Sequence, residues 1–333
     1  MASTDLVSAR FPRIDAGYES YYLRAAEPGG GRGFWIRYTV HRQPARPTTG
    51  SLWFTFFDEQ APTAVKTTLN DPRAGSGSWI RIGEATLGPG HAQGSIRLDM
   101  SAPVPAPVSW DLTFSGPDLF AHLPRPWMYD APLPRTKPVS LHPAARITGN
   151  LVIGDRAVEV DGWPGMVGHN WGSEHAERWI WLHGTGFEGD DEAWLDVVLA
   201  RLRIAGRVTP WSGFGGLWLD GRLHRLGGLS RTRSTRVEEH ADRLRFSLAG
   251  HRARVRGHVA APIARSVGWT YADPDGGEHD VVHCSVADLE LTVERPGAST
   301  RTLRAPGVAA YELGMREHDH GVPIQPFPDG GAA

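Results

Sequence analysis

The chain has 333 residues, of which 40% are hydrophobic and 22% are charged, a composition typical of globular rather than disordered proteins. Its 35 Lys and Arg residues nearly balance its 37 Asp and Glu residues, giving a net charge of −2. Because there is no basic excess to neutralise phosphates, nucleic acid is not expected as a partner. The single cysteine, Cys284, excludes an intrachain disulfide.

Targeting and membrane signals are weak. The first residues, MASTDLVSARFPRIDAG, contain no apolar region of the kind found in signal peptides. No run of about 18 apolar residues occurs, so no integral membrane segment is expected. We therefore expect a cytoplasmic protein, and transient contact with a membrane surface stays open, as does the oligomeric state.

The 40 glycines and 26 prolines are spread along the whole chain. Because Gly costs about 1 kcal/mol and Pro about 3 kcal/mol inside a helix, long helices are disfavoured. What recurs instead are short alternating, β-branched and aromatic segments that end at turn residues, which is the pattern of β-strands. In the first part of the chain these segments are 34–40, 51–57, 64–69, 78–87, 94–100 and 108–115.

The strand pattern is interrupted over 123–143, where prolines recur too often for regular structure. We interpret this stretch as a Pro-rich crossover between an N-terminal β domain (1–122) and a C-terminal β domain (144–320). A flexible tail (321–333) is predicted to follow. The alternative is a long surface loop within one large sheet.

The second part of the chain repeats the strand pattern. Its candidate strands are 145–153, 178–184, 193–204, 215–220, 243–248, 253–259, 281–294 and 309–315. The composition of 193–204 is also compatible with a helix, but the segment follows a Gly-Asp turn and is rich in β-forming residues. The chain is therefore predicted to be all-β, with two consecutive barrel or sandwich domains.

One segment, 162–183, concentrates aromatic residues that carry a polar tip. Tryptophan and histidine have an apolar body and a hydrogen-bonding end, which suits a pocket that holds an apolar ligand and handles a proton. The alternatives are that His169 and Asn170 satisfy backbone groups in a turn and that the tryptophans pack in a core. The residues concerned are Trp163, His169, Asn170, Trp171, His175, Trp179, Trp181 and His183.

The runs PLPRTKPVSLHPAARITGN and GMVGHNWGSEHAERWIWLHG resemble the carotenoid 1,2-hydratase (hydroxyneurosporene synthase) and AttH-like superfamily. Tocopherol cyclases, Svf1-type proteins and some lipocalin-like Diels–Alderases are relatives in that superfamily. The HNWG segment after a Pro-rich crossover carries the resemblance, and Tyr18 to Tyr22 are similar to a YEGWY-type element. The resemblance implies two consecutive lipocalin-like domains, with an apolar cavity in or between them.

For the hydratase branch, the resemblance implies catalytic roles for His169, Trp171 and Asp196. The position of a catalytic tyrosine is occupied by Trp194 here. An indole only donates a hydrogen bond, whereas a phenol can also accept one. This departure disfavours carotenoid hydration itself and leaves the predicted pocket unaffected.

The same chemistry can be argued from the residues. Adding water to an alkene needs an acid and a stabilised cation. A carboxylic acid in an apolar pocket has a raised pKa and stays protonated, tryptophan faces stabilise cations, and histidine can deprotonate water. Asp196 is flanked by apolar residues, and strand alternation would place Trp194, Asp196 and Val198 on one face. A solvated or turn-anchoring carboxylate is the alternative for Asp196.

We therefore expect a cofactor-independent enzyme that acts on an apolar isoprenoid- or polyketide-like molecule by acid-catalysed hydration, cyclisation or isomerisation. A non-catalytic carrier of lipids or small hydrophobic molecules and a structural module without ligand are the alternatives. No metal is expected, because the histidine spacing matches no familiar zinc pattern. The predicted catalytic residues are Asp196, His169 and Trp171, and the predicted substrate contacts are Trp194, Trp179, Trp181, Asn170, His183 and Tyr22.

Overall fold

The computed structural model describes residues 4–44, 46–75, 77–97 and 107–327. About 64% of the chain is strand and 6% is helix, and the antiparallel sheets are curled. The prediction of an all-β fold is therefore confirmed. Among the described residues, no helix has the length and apolar character needed to cross a membrane.

Two large antiparallel sheets account for nearly all the described strands. The first sheet contains β1 Gly17–Ala26, β2 Gly33–Arg42, β3 Thr49–Phe57, β4 Thr63–Asn70, β5 Arg73–Gly75, β6 Ser78–Ile82, β7 Ala85–Gly88, β8 His91–Ile96, β9 Val108–Ser115, β10 Phe120–Ala121, β11 Thr136–Ile153 and β12 Arg156–Gly172. The second contains β13 Arg178–Phe187, β14 Asp190–Arg201, β17 Ser212–Leu219, β18 Arg222–Gly227, β19 Arg236–His240, β20 Arg243–Ala249, β21 Arg254–Ala260, β22 Val267–Ala272, β23 Glu278–Glu294 and β24 Arg301–Met315.

The remaining elements are short. A separate two-stranded ribbon is formed by β15 Arg203–Ile204 and β16 Arg207–Val208, and the one described α-helix is α1 Thr4–Val7. Single 3-10 turns occur at Phe11–Arg13, Pro126–Tyr129, Leu229–Ser234 and Ile263–Arg265. The ambiguous segment 193–204 is strand, as predicted, and residues 98–100 of the candidate strand 94–100 lie outside the described residues.

The passage from one sheet to the other lies later in the chain than the sequence suggested. In the first sheet β12 pairs with both β1 and β11, and β11 also pairs with β9. Residues 136–172 therefore complete the first sheet, although 144–172 was predicted to begin the C-terminal domain. The link between the sheets is the short segment 173–177, whereas the prolines of 123–143 precede and enter β11.

The first sheet is buried on both faces around β1, all of whose residues are buried. Tyr21 and Leu23 point into an apolar core enclosed by the first sheet. Tyr22 alternates with them and contacts Met166 and Trp181 in a small cluster between the sheets. The outer face of the first sheet is thus covered by the second sheet.

The end of the described chain is packed onto the second sheet. Val322 is buried, the Gln325 amide donates to the Gly268 carbonyl at 2.9 Å, and Ile324 forms a bridge with Gly268. Residues 321–327 therefore differ from the predicted flexible tail, because apolar side chains anchor them. Residues 328–333 lie outside the described part of the chain.

Candidate active site between the two sheets

Strand β14 alternates between an apolar core and the first sheet. Leu195 and Val197 enter the core of the second sheet, whereas Val198 packs against the cluster between the sheets. Trp194 reaches Phe120 of β10, with ring centroids 5.2 Å apart. The predicted shared face of Trp194, Asp196 and Val198 is therefore confirmed, and it is the face that meets the first sheet.

Asp196 lies at the centre of this face and is fully buried. Its Oδ2 accepts a hydrogen bond from the hydroxyl of Ser140 on β11, and the Nε2 of His122 is 3.3 Å from the same oxygen. Its Oδ1 accepts from the indole Nε1 of Trp181 at 3.1 Å. Side chains from both sheets thus converge on one carboxylate.

These neighbours decide the protonation state of Asp196. Burial alone would raise the pKa of its carboxyl, but the charge and hydrogen bond of His122 oppose that effect, together with His183 and Ser140. The balance holds the pKa of Asp196 below its ordinary value. Asp196 is therefore an ionised carboxylate, which differs from the protonated acid expected from the sequence, because its pocket contains histidines as well as apolar groups.

His183, also predicted as a site residue, is fully buried beside this group. Its Nε2 donates to the Pro143 carbonyl at 2.8 Å, and its Nδ1 is 3.4 Å from the Arg24 Nη1. Nδ1 is then the unprotonated nitrogen that accepts from the guanidinium. Burial, reinforced by Arg24, lowers the pKa of His183 to about 4, so the ring is neutral near pH 7.

Tyr22 and Trp181 pack next to Asp196. Their rings meet edge to face with centroids 5.4 Å apart, and burial beside Asp196 raises the pKa of the Tyr22 phenol. Gly168 lies opposite Tyr22 in the sheet, and a Cβ at this position would overlap the Tyr22 ring. The glycine before His169 therefore has a local function, which is to admit this tyrosine.

A second buried carboxylate, Glu312 of β24, adjoins the group. It accepts from the Trp179 indole at 3.0 Å, and its Oε2 is 3.3 Å from the His283 Nδ1. Trp181 stacks on His283 at 6.0 Å, which connects the two carboxylates through aromatic rings. Trp179 and Trp181 thus hold carboxylates by their indole nitrogens, as polar-tipped aromatic residues can.

His169 and Trp171 lie on the opposite face of β12, inside the first sheet. The His169 Nε2 is 2.7 Å from the Glu19 Oε1, and its Nδ1 is 2.9 Å from the Leu6 carbonyl. The ring stacks on Tyr21 at 4.0 Å. Because adjacent residues of a strand point to opposite sides, His169 and Trp171 lie on the face of β12 that is turned away from the second sheet. The structure therefore does not bring them together with Asp196.

Asn170 alternates with His169 and so shares the face of Met166, towards the second sheet. It is half-buried, and its Oδ1 is buried without a hydrogen-bond partner in the described part of the chain. Of the predicted residues, the structure gathers Asp196, His183, Trp181, Trp194 and Tyr22 in one buried group between the sheets. Trp179 and Asn170 border the same interface between the sheets.

Sequence reasoning missed several members of this group. His122 and Ser140 fall in or next to the Pro-rich segment that was interpreted as a linker. Arg24 and Glu312 are charged residues within the otherwise apolar strands YYLRAA and AAYELGM. A buried charge in such a strand is rare unless it is paired, and this signal could have identified both residues.

Two further features lie apart from Asp196. His175, Asp273 and His279 bring potential metal-binding atoms to within 4.8 Å of one another. An open cleft of about 810 Å³ lies against the N-terminal segment and is lined by Val7, Ala9, Trp79 and Leu119 among others. Tyr21 connects the cleft to His169, because its hydroxyl donates to the Val7 carbonyl at 2.7 Å and its ring stacks on Trp79.

Comparison with known proteins gives relatives in sequence and in structure. The uncharacterized proteins Rv0493c and MT0513 of two Mycobacterium tuberculosis strains are each 29% identical over 311 residues, which is 90% of this chain and 86% of theirs. No family model matches the chain.

Two solved structures are similar over nearly their whole length. A Nitrosomonas europaea protein assigned as AttH superimposes with a TM-score of 0.56 at 12% identity, covering 92% of this chain and 94% of that one. Kievitone hydratase from Nectria haematococca superimposes with a TM-score of 0.53 at 8% identity, covering 95% and 93%. The fold that the sequence resemblance implied is thereby confirmed, and the chain shares the fold of AttH-like proteins and kievitone hydratase.

Proposed function

We propose that the protein is an enzyme that adds water to, cyclises or isomerises an apolar small molecule between its two sheets. The observation that carries this proposal is the fully buried Asp196 carboxylate, on which Ser140, His122 and Trp181 converge. Buried ionisable groups with perturbed protonation cluster at functional sites. The hydratase among the structures of the same fold agrees with this class of chemistry.

The arrangement supports a division of roles in which His122 supplies the proton. The His122 imidazole, 3.3 Å from the Asp196 carboxylate, is held in place by that carboxylate as the proton donor. Transfer of its proton to one carbon of a double bond leaves a cation on the other carbon. Water then attacks this carbon and loses a proton to the imidazole, so that one water is added and His122 regains its proton.

The surroundings suit a cationic intermediate. The Trp181 and Tyr22 rings lie next to Asp196 and can stabilise a positive charge by cation–π interaction, and the ionised Asp196 stabilises it in a site that excludes water. Loss of a proton from the cation in place of attack by water would give an isomer. Capture of the cation by a second double bond of the same molecule would give a ring.

An apolar substrate of the isoprenoid or polyketide class is proposed, because aromatic and aliphatic side chains lie next to the carboxylate and its polar partners. Met166 and Val198 pack beside Tyr22, and Phe120 packs on Trp194. The protein's own side chains provide both proton and counter-charge in this scheme. No cofactor is therefore needed for the step.

The test is an assay in ¹⁸O-labelled water with a panel of isoprenoid and polyene substrates. Label incorporated into product by the wild type and not by Asp196→Asn supports hydration, whereas an unlabelled isomer supports cyclisation or isomerisation. The matched control is Asp111→Asn, which alters a surface carboxylate paired with His91. No product from any substrate would overturn the enzymatic proposal.

A carrier function is the second candidate, and the cleft beside the N-terminal segment favours it. Its volume of about 810 Å³ is in the range that holds a small-molecule ligand, about 300–1,000 Å³. Native mass spectrometry of the purified protein would detect a co-purified apolar molecule. Stoichiometric binding that is weakened by Trp79→Ala and unaffected by Asp196→Asn would support a carrier that uses this cleft.

A further inference from the structure

Three potential metal ligands meet where the chain passes from the first sheet to the second. His175 lies in the link 173–177, Asp273 directly follows β22, and His279 is the second residue of β23. The His175 Nδ1 is 2.7 Å from the Asp273 Oδ1, and the His279 Nδ1 is 3.6 Å from the Asp273 Oδ2. The link and the β22–β23 hairpin therefore present two imidazoles and one carboxylate to a common point.

The buried atoms of this cluster are incompletely satisfied. Both ring nitrogens of His279 and the Oδ2 of Asp273 are buried and have no hydrogen-bond partner among the described residues, and the two side chains are 0% and 1% exposed. Leaving a buried polar group unpaired costs about 1–3 kcal/mol. A structural cluster of hydrogen bonds would leave this cost in place, whereas a bound cation would remove it at the Asp273 oxygen and the His279 nitrogen that bind the ion.

The spacing also fits a metal better than a hydrogen bond. Ligands at about 2.0–2.2 Å from a tetrahedral ion lie about 3.4 Å from each other, close to the 3.6 Å between the His279 Nδ1 and the Asp273 Oδ2. That separation is too long for a good N–H···O hydrogen bond. The His175 Nδ1 and the Asp273 Oδ1, which are 2.7 Å apart, would separate to about 3.4 Å around a bound ion.

We propose that His175, Asp273 and His279 bind one divalent first-row transition metal ion, with zinc as the reference ion. Two imidazoles and one carboxylate form a donor set that suits Zn²⁺ and Fe²⁺, with a further position for water. This proposal departs from the sequence expectation of no metal, because the ligands come together from sequence positions about a hundred residues apart.

The bound ion would stabilise the connection between the sheets. His175 stacks on Tyr18 of β1 at 4.1 Å and on Trp179 of β13 at 5.2 Å. An ion that joins His175 to the β22–β23 hairpin would fix the link against both sheets. Because the metal binds only the folded arrangement, it would stabilise the protein by mass action.

The experiment uses the full chain, stripped with EDTA, dialysed and titrated with Zn²⁺ in a calorimeter, with metal content measured separately. We expect one equivalent to bind and to raise the melting temperature. His279→Gln and Asp273→Asn should each lower the affinity by at least about 100-fold, because a ligand is lost and even its supporting contacts are worth about 10–100-fold. The control, His258→Gln, changes an exposed histidine on β21 and should leave binding unchanged.

Substitution with Co²⁺ gives a readout that does not depend on stability. Visible absorption typical of a four-coordinate Co²⁺ site is expected in the wild type and not in His279→Gln. Circular dichroism checks that the variants fold, and His175→Gln replaces any variant that does not. Absence of stoichiometric binding, or binding that survives in both His279→Gln and Asp273→Asn, would overturn the proposal.

Discussion

Two buried pairs of a carboxylate and a histidine, Glu19 with His169 and Asp196 with His122, differ in the groups that they bind. Glu19 accepts from the backbone amides of Arg10 and Phe11 at 2.6–2.9 Å, while His169 faces the Leu6 carbonyl. Both side chains thus bind main-chain groups of the N-terminal segment. The pair fastens that segment over the first sheet.

The partners of Asp196 are of another kind. They are the side chains of Ser140, His122 and Trp181, and they come from both sheets. Contacts from a side chain to main-chain groups fix the course of the chain. A carboxylate whose partners are side-chain donors can also interact with a ligand that enters the site. The difference agrees with the proposal that Asp196 takes part in the chemistry, whereas His169 holds the N-terminal segment on the first sheet.

The largest expected effect is on catalysis. Asp196→Asn keeps the size of the side chain but removes the charge that positions His122 and stabilises the cationic intermediate, so turnover should fall by about 10²–10⁴-fold. Steady-state kinetics on whichever substrate the ¹⁸O screen identifies will measure it. Glu19→Gln, assayed on the folded fraction, should change turnover much less, and an equal loss in both variants would break the distinction between the two pairs.

Stability should respond in the reverse order. Removing one partner of a buried charge pair costs about 3–5 kcal/mol, and Glu19→Ala also leaves two backbone amides without an acceptor. We expect its free energy of unfolding, measured with urea, to fall by that amount. Asp196→Asn retains an acceptor for Ser140 and should lose less, so a greater loss there would assign Asp196 to the fold.

Acid should weaken the interface between the sheets through His183. Its pKa falls from 6.5 to about 4 on folding, so between these values the unfolded chain binds the additional proton. Stability is therefore present above pH 6.5 and is lost as the pH falls towards 4, by about 3 kcal/mol at about 1.4 kcal/mol per pKa unit.

The variant His183→Gln isolates this contribution, because glutamine does not titrate. Urea unfolding at several values between pH 4 and 7 should give a shallower pH dependence for the variant than for the wild type. Asp196, His122 and Arg24 face His183 and are present in both proteins, so their own titration cancels to first order. Identical slopes would show that His183 does not titrate differently in the folded state.

The strands of the first sheet differ in how far sequence could predict them. Strands that bury one face, such as 108–115, alternate clearly and were predicted. Strand β1 and the stretch 163–169 of β12 are buried on both faces and lack that alternation, and neither strand was predicted. The segments 34–40 and 51–57 are also buried on both faces, but their aromatic and β-branched residues allowed them to be predicted. The HNWG segment of β12 was noticed for its residue types alone, and its division between two faces needed the strand assignment.

The site was predicted in part for the same reason. Asp196, Trp194, Trp181 and His183 lie on strands with recognisable patterns, and alternation correctly placed the first two on one face. The pairing of Asp196 with His122 depends on a contact between residues far apart in the chain. No local pattern contains that contact, and the prolines around it favoured a linker.

The smallest expected effect concerns a third pair, His91 with Asp111, whose side chains are 42% and 75% exposed and whose atoms are 2.8 Å apart. Exposed ion pairs contribute less than about 1 kcal/mol, because water and salt screen them. A double-mutant cycle of His91→Ala and Asp111→Asn, read by urea unfolding, should give a coupling energy below that value. The contact distance is nearly the same as in the Glu19–His169 pair, so the difference in free energy would have another cause. Burial and main-chain partners would then explain the large loss of stability expected for Glu19→Ala. A coupling of several kcal/mol at the surface pair would instead make pairing itself the cause, and the distinction drawn between Glu19 and Asp196 would lose its basis.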